Sequence, residues 1–262
     1  DRTFFGRGDI EEFVTGSDAV PGTDVPLGDR FDWREWLLGA EFRLEPDRAW
    51  EIELAAFWMH RDYTEDYDEE PDIYALDQDR TGLELAVRRD LGRDWDLGVT
   101  GEVQWWDYDE KYARDGDGNE QPEVTTRLRR LPVELELRHR PAHGLRGTMA
   151  LGVLVTRDLH EGYWDRQTRI FLAEVGWRSR ADWELELRVR RSISDYDRST
   201  VGNDPGAPLR EKDSWRVRLQ GEVPLSDAVL VFGAWSLEDL ENNSRTFAYS
   251  RGTVEMGVQA GF

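Results

Sequence analysis

Residues 252–262 read GTVEMGVQAGF, a stretch in which every second residue from position 254 onward is apolar. The apolar positions are Val254, Met256, Val258, Ala260 and Phe262. Side chains of an extended strand alternate between its two sides, so these residues share one face. Chain ends fray unless a neighbouring element holds them. A strand that alternates as far as a terminal aromatic residue is therefore expected to be hydrogen-bonded into a sheet.

The same alternation recurs along the chain. Clear examples are WEIELAAFW (50–58), WDLGVTGEVQW (95–105) and WELELRV (183–189). None of these stretches has the spacing of three to four residues that an amphipathic helix requires. The sequence therefore predicts an all-β fold.

Two kinds of connection separate the predicted strands. Short turn signals are PDRA (46–49), LGRD (91–94), PAHGLR (141–146), RAD (180–182) and PLSDA (224–228). Longer polar segments cover 15–30, 64–79, 108–123, 157–167, 195–212 and 239–246. Because five short turns alternate with six long loops, the sequence predicts twelve strands in an up-and-down meander, the first near residues 3–14. No linker or shift in composition divides the chain, so a single domain over residues 1–262 is expected.

Composition limits the classes of function. The mean hydropathy of −0.72 and the formal net charge of −21 are typical of a very soluble or disordered chain, but 12 Trp, 8 Tyr and 10 Phe argue against disorder. The apolar residues must therefore be concentrated on particular surfaces. The acidic balance disfavours nucleic acid as a partner, and the absence of cysteine excludes thiolate metal sites.

Neither a transmembrane helix nor a signal peptide is expected. No apolar run approaches the roughly 18 residues of a membrane-spanning helix. The first residues do not have the pattern of a signal peptide. The chain is therefore expected to be a processed protein or the barrel domain of a larger one.

Tryptophan positions distinguish a membrane protein from a soluble β-sandwich. The tryptophans near short turns are Trp50, Trp95, Trp177 and Trp183, and those at the other ends of apolar faces are Trp58, Trp105 and Trp235. Membrane–water interfaces select aromatic rings at both ends of an apolar band. Many strands alternate for nine to thirteen residues, close to the length that crosses a bilayer. The sequence therefore predicts a transmembrane β-barrel with apolar residues outside and polar residues inside.

The end of the chain resembles the last strand of the outer-membrane β-barrels of Gram-negative bacteria. Their pattern polar–x–Gly–x–x–apolar–x–aromatic is matched by Glu255, Gly257, Ala260 and Phe262. The resemblance implies recognition by the outer-membrane assembly machinery and an outer-membrane location. It also implies neighbouring lipid and lipopolysaccharide, short periplasmic turns and long acidic extracellular loops.

Strand parity predicts a strongly charged interior. The predicted lumen residues are Glu84, Arg88, Glu102, Glu134, Glu136, Arg138, Glu174, Arg178, Glu184, Glu186, Arg188, Arg190, Arg216, Arg218, Glu222 and Glu255, together with Glu41, Arg43, Glu51 and Glu53 near the start of the chain. Acidic and basic groups are nearly balanced. They either pair into a network that fills the barrel or form a constriction that selects permeating solutes.

Three functions follow from this interior. The first is a small porin-like channel, or the exit barrel of a secretion system, for ions or hydrophilic solutes. The second is a plugged barrel that anchors acidic loops for a periplasmic, secretion or surface partner. An outer-membrane hydrolase is less supported, because only His160, near Asp158 and Glu161, lies in an outer loop. We therefore expect no enzymatic activity.

One acidic loop resembles the start of a calcium loop. Asp115, Asp117 and Asn119 have the required spacing, but Glu120 occupies the position where an EF-hand needs glycine. A solvated loop is therefore expected here, with no bound metal. No cofactor motif is found elsewhere in the sequence.

Overall fold

Residues 33–63, 77–201, 206–226, 229–243 and 248–260 are described by a computed structural model of the chain. They form eleven strands: β1 (Trp33–Asp47), β2 (Trp50–Tyr63), β3 (Gln78–Gly92), β4 (Trp95–Arg114), β5 (Glu120–His139), β6 (Gly144–Asp158), β7 (Arg166–Arg178), β8 (Glu184–Thr200), β9 (Leu209–Ser226), β10 (Val229–Asn242) and β11 (Tyr249–Ala260). These correspond to the predicted second to twelfth strands. The predicted first strand, near residues 3–14, lies outside the described residues.

The strands form one antiparallel sheet in chain order, from β1 to β11. Each strand pairs with its sequence neighbours, as Leu54 of β2 pairs with Leu85 of β3 and Val99 of β4 pairs with Leu135 of β5. The all-β meander predicted from the sequence is therefore confirmed. Among the described strands, β1 and β11 form the two edges and do not pair with each other. The expected closure of the last strand against residues 3–14 lies outside the described part of the chain.

The short connection between β3 and β4 shows how the turns set the register. Arg93 and Asp94 both have positive φ, 54° and 67°. This is the conformation of a tight two-residue hairpin whose twist matches that of the flanking strands. The backbone amide of Gly92 also donates to the Asp90 carboxylate at 2.6 Å. The hairpin therefore fixes the side of the sheet to which each following side chain points.

Several strands extend further on the long-loop side than the sequence predicts. The segment 108–123 was predicted as a loop, but β4 continues to Arg114 and β5 begins at Glu120. The predicted loop 195–212 is shortened in the same way by β8 and β9. Polar side chains end the apolar alternation, but backbone pairing does not depend on them and continues, with register shifts after Asp107 in β4 and after Asp195 in β8.

The two faces of the sheet differ strongly. On one face, large apolar side chains are exposed, including Leu54, Leu85, Leu135 and Leu187 at 42–51%. On the other face, Ala55, Trp106, Ala150 and Leu172 are buried. We call these the outer face and the inner face. Exposed leucines in adjoining strands form an apolar band that suits lipid and would be a liability in water. Within the ranges given above, no helix is long and apolar enough to cross a membrane.

Candidate functional site: the charged inner face

The structure places all sixteen charged residues predicted for the lumen on the inner face. Their register shows this directly, since Glu136 pairs with buried Ala150 and Arg190 pairs with buried Leu172. Glu84 of β3 pairs with Glu102 of β4, so these two charged residues share one face. The inner face also carries Glu41, Arg43, Glu51 and Glu53 at its β1–β2 end.

Ion pairs connect the first strands. Arg43 lies 3.5 Å from Glu51 and 3.4 Å from Glu53. Arg88 lies 3.3 Å from Glu51 and 3.7 Å from Asp96. Glu51 is therefore shared by two arginines on different strands, and the charges of β1 to β4 form one chain of contacts.

A second group of ion pairs covers β6 to β8. The Nη2 atom of Arg146 lies 2.6 Å from Glu184 and 3.2 Å from Glu186. Arg178 also contacts Glu184, at 3.3 Å. On the neighbouring strands Arg188 lies 3.7 Å from Glu174. Two glutamates of β8 are therefore held from one side by arginines of β6 and β7.

The remaining pairs lie on β5 and on the last strands. Arg138 contacts Glu136 on β5. Arg216 donates to Glu238 at 2.7 Å. The predicted lumen residues Arg218 and Glu255 lie 3.6 Å apart. With the pairs described above, charged contacts are therefore distributed across the whole width of the described sheet.

Sequence reasoning missed several members of this network. Arg146 was included in the predicted turn 141–146, and Asp96 and Glu238 were not recognised as inner residues. Extending the alternation by one or two positions toward the adjoining connections, a short turn for Arg146 and Asp96 and a long loop for Glu238, would have found them. Arg146 pairs with Gly176 on the inner face of β7.

An aromatic cluster fills the inner face toward the long-loop side. The guanidinium carbons of Arg80 and Arg130 lie 3.6 Å and 4.2 Å from the centre of the Trp106 ring. Trp106 is 2% exposed and packs with Tyr108 and Leu128. Trp105 faces the outer side of the sheet and Trp106 the inner side. The sequence prediction assigned Trp105 to the girdle and gave Trp106 no role. Cation–π contacts with this one ring hold two arginines in place.

All seven tryptophans of the predicted girdle lie on the outer face. Trp177 and Trp183 pack edge to face at 4.2 Å beside one short turn. Trp95 stacks on His139 at 4.5 Å beside another. The other members, Trp50, Trp58, Trp105 and Trp235, are 37–42% exposed. Trp36 and Trp215 are further exposed tryptophans of the outer face that the sequence reasoning did not select.

The acidic segment 115–119 is a tight turn closed by one carboxylate. Asp115 Oδ1 accepts from the backbone amides of Asp117 at 3.0 Å and Asn119 at 2.9 Å. The Asn119 side chain also donates to Asp115, and these hydrogen bonds, the side-chain one foremost, lower the pKa of Asp115. Across the described ranges no group of three His, Cys, Asp or Glu side chains could hold a metal ion.

The residues of the predicted assembly signal lie on or next to the last strand, β11. Gly257 accommodates the ring of Phe232, whose Cζ atom would lie 2.5 Å from a Cβ at position 257. Ala260 pairs with Val229, and Phe262 lies outside the described residues.

The His160 ring lies 3.8 Å from Glu161, and its backbone amide donates to Asp158.

Comparison with solved structures identifies the fold. The chain is similar to the siderophore receptor PirA from Pseudomonas aeruginosa, with a TM-score of 0.51, 8% sequence identity, and coverage of 88% of this chain and 37% of that one. It also matches P. aeruginosa FpvA bound to heterologous pyoverdines, with a TM-score of 0.49, 13% identity and coverage of 88% and 39%. A third match is FpvAI in complex with pyocin S2, with a TM-score of 0.42, 13% identity and coverage of 85% and 39%.

The chain thus spans little more than a third of the length of these receptors. No protein-family model and no curated protein matches the sequence. The likeness to PirA shows that this chain has the fold of an outer-membrane β-barrel.

Proposed function

We propose that this outer-membrane barrel is a channel or exit barrel for ions and small hydrophilic solutes. The observation that carries the proposal is that charged side chains of the inner face are accessible to water on β8, β9 and β11, whereas Glu53 on β2 and Glu136 on β5 are buried. The side chains of Arg188, Arg218 and Glu255 are 45%, 47% and 56% exposed. Charged groups that line an aqueous passage stay hydrated in this way, whereas charges in a filled interior would be covered.

A cleft at the short-turn end supports the same proposal. It has a volume of about 590 Å³ and is lined by Asp47, Arg88, Asp94 and Arg140, among others, at the ends of β1 to β5. Such a mouth would connect the periplasmic side with the ion pairs of Glu51 and Arg88. The proposed neighbours are outer-membrane lipid, lipopolysaccharide, a periplasmic or secretion partner, and the assembly machinery that reads Glu255 to Phe262.

We expect the passage to favour cations. The segments 64–79 and 107–123 are strongly acidic and are expected at the extracellular mouth. A mouth of one charge sign raises the local concentration of the opposite ion. The preference should weaken at high salt, because the Debye length falls to about 3 Å at 1 M.

Single-channel recording in planar bilayers tests the proposal. The parent should give discrete conductance steps with a cation preference that falls as salt rises. The double variant Arg188→Gln/Arg218→Gln should increase that preference, whereas Arg89→Gln, a control on the outer face, should not. Inserted, folded protein without steps would contradict the channel, and a parent that selects anions would contradict the proposed selectivity.

A plugged anchor barrel is the second candidate. It is favoured by the Arg80–Trp106–Arg130 stack, which buries the inner face between β3 and β5. An anchor would hold its acidic loops toward a partner outside the cell. The same bilayer recording separates the two functions, since a filled lumen conducts no current.

A further inference from the structure

Four neighbouring strands, β5 to β8, carry an arginine at an equivalent place on the outer face. In each strand it is the first outer-face residue beyond the apolar band on the long-loop side. The last apolar residues of the band are Leu131, Val155, Phe171 and Val189. The arginines two residues further are Arg129, Arg157, Arg169 and Arg191, which we call the arginine arc.

The strands on either side carry the opposite charge at this place. On β4 the first outer-face residue beyond Trp105 is Asp107, and on β9 the first beyond Trp215 is Asp213. Basic residues are thus concentrated on four adjacent strands of a chain whose formal net charge is −21. If all these positions were simply exposed to water, basic and acidic residues would not need to lie on separate strands.

Carboxylates on the loop side hold Arg157 and Arg169. Arg157 donates to Asp165 at 3.0 Å and to Asp197 at 2.8 Å. Arg169 donates to Asp195 at 2.6 Å. Because a guanidinium has five N–H donors, these bonds fix its position without using all of its donors.

Arg191 and Arg129 complete the arc in different ways. Arg191 makes a bidentate pair with Asp213, at 2.6 Å and 3.1 Å. Arg129 is exposed and lies directly opposite Arg157 in the β5–β6 register. Asp165 and Asp197 offset the charge of Arg157. In the described part of the chain, no ion pair or side-chain hydrogen bond involves Arg129, so its guanidinium is open to an anion from outside.

We infer that the arginine arc binds the phosphate groups of lipid A in the outer leaflet. The arc lies where the apolar band ends, which is the depth of lipid headgroups. Its side is that of the long loops, which face the cell exterior in such barrels. Guanidinium groups recognise phosphate with paired hydrogen bonds. Three strand spacings amount to about 14 Å, so the arc is wide enough to contact more than one phosphate. This inference does not depend on whether the barrel conducts.

Lipid binding to the folded protein tests the inference. The protein in nonionic detergent micelles is titrated with bisphosphorylated lipid A, with fully dephosphorylated lipid A and with phosphatidylglycerol, and bound lipid is counted by native mass spectrometry. We expect at least tenfold tighter binding of bisphosphorylated lipid A than of the dephosphorylated form. The variant Arg129→Gln/Arg169→Gln should lose this preference.

Two further variants keep the test specific. Arg89→Gln removes an outer-face arginine beside Trp50 at the short-turn end and should retain the preference. Arg129→Lys/Arg169→Lys keeps the charge and should restore a large part of it. All variants are compared only as folded, heat-modifiable protein on gels.

Two results would overturn the inference. If the double glutamine variant retains the parent's preference for phosphorylated lipid A, the arc does not bind the phosphates. If phosphatidylglycerol binds as tightly as bisphosphorylated lipid A, the arc is a general anionic-lipid surface and the assignment to lipid A is wrong.

Discussion

Arg146 donates to Glu184 at 2.6 Å although the whole of β7 lies between their strands. The residue of β7 opposite Arg146 is Gly176, which has no side chain to block the path. A Cβ at position 176 would lie 2.6 Å from Arg146 Nε and 3.0 Å from its Cγ. The ion pair across three strands therefore depends on glycine at this position.

Gly176→Ala should displace Arg146 and weaken its contacts with Glu184 and Glu186. The groups are partly exposed, so we expect a loss of about 1 kcal/mol in the free energy of unfolding. Urea unfolding in lipid vesicles measures it. Gly252→Ala is the matched control, since nothing lies within 4 Å of a Cβ at that position. Equal stability of the two variants would show that Arg146 has another path to β8.

Leu135→Arg should destabilise the barrel by about 2–4 kcal/mol, the cost of a mid-bilayer arginine on a lipid-facing strand. Leu135 is 46% exposed at the centre of the β5 apolar face. Leu187→Arg should behave in the same way on β8. Vesicle unfolding experiments give the values. The control Thr125→Arg lies on the same face of β5 but beyond the apolar band, so it should cost little. An unchanged stability of both leucine variants would mean that the outer face does not contact lipid.

Trp106→Ala should remove the ring on which Arg80 and Arg130 stack. Truncation of a buried tryptophan costs about 3–5 kcal/mol. Trp105→Ala, on the outer face, should cost less because its ring is 37% exposed. Unfolding in vesicles measures both, and bilayer recording of Trp106→Ala shows whether the ring also blocks the passage. A Trp106→Ala protein as stable as the parent would contradict the packing described for this cluster.

The turn at residues 115–119 should loosen in acid. The folded-state pKa of Asp115 is lowered, so its stabilising effect is fully present above the ordinary carboxyl pKa of about 3.9. The effect is lost as pH falls through the lowered value. The amide resonances of Asp117 and Asn119 should shift together over this range in NMR spectra of the micelle-bound protein. In Asp115→Asn this transition should be absent, and its persistence would assign it to another group.

Alternation with a period of two predicted the strands and their order. It did so because each side chain of such a strand faces either lipid or the polar interior, and these two environments select different residues. It did not reveal contacts between strands. The path of Arg146 over Gly176 and the stacking of Arg80 on Trp106 depend on register, which a single sequence does not define. The lengths of β4 and β5 were also wrong, because their distal residues lie beyond the lipid that imposes alternation.

The extension of β4 and β5 past Trp105 affects which part of the protein antibodies can reach on intact cells. Nine residues separate Trp105 from the end of β4 at Arg114. At about 3.3 Å per residue the strand extends by at most roughly 30 Å before the turn, with register shifts in its pairing to β5 between Asp107 and Ala113. Such a hairpin would hold its tip away from the end of the apolar band. A peptide tag inserted between Gly116 and Asp117 should therefore be accessible to antibodies on intact cells, where tags in the short turns would stay hidden.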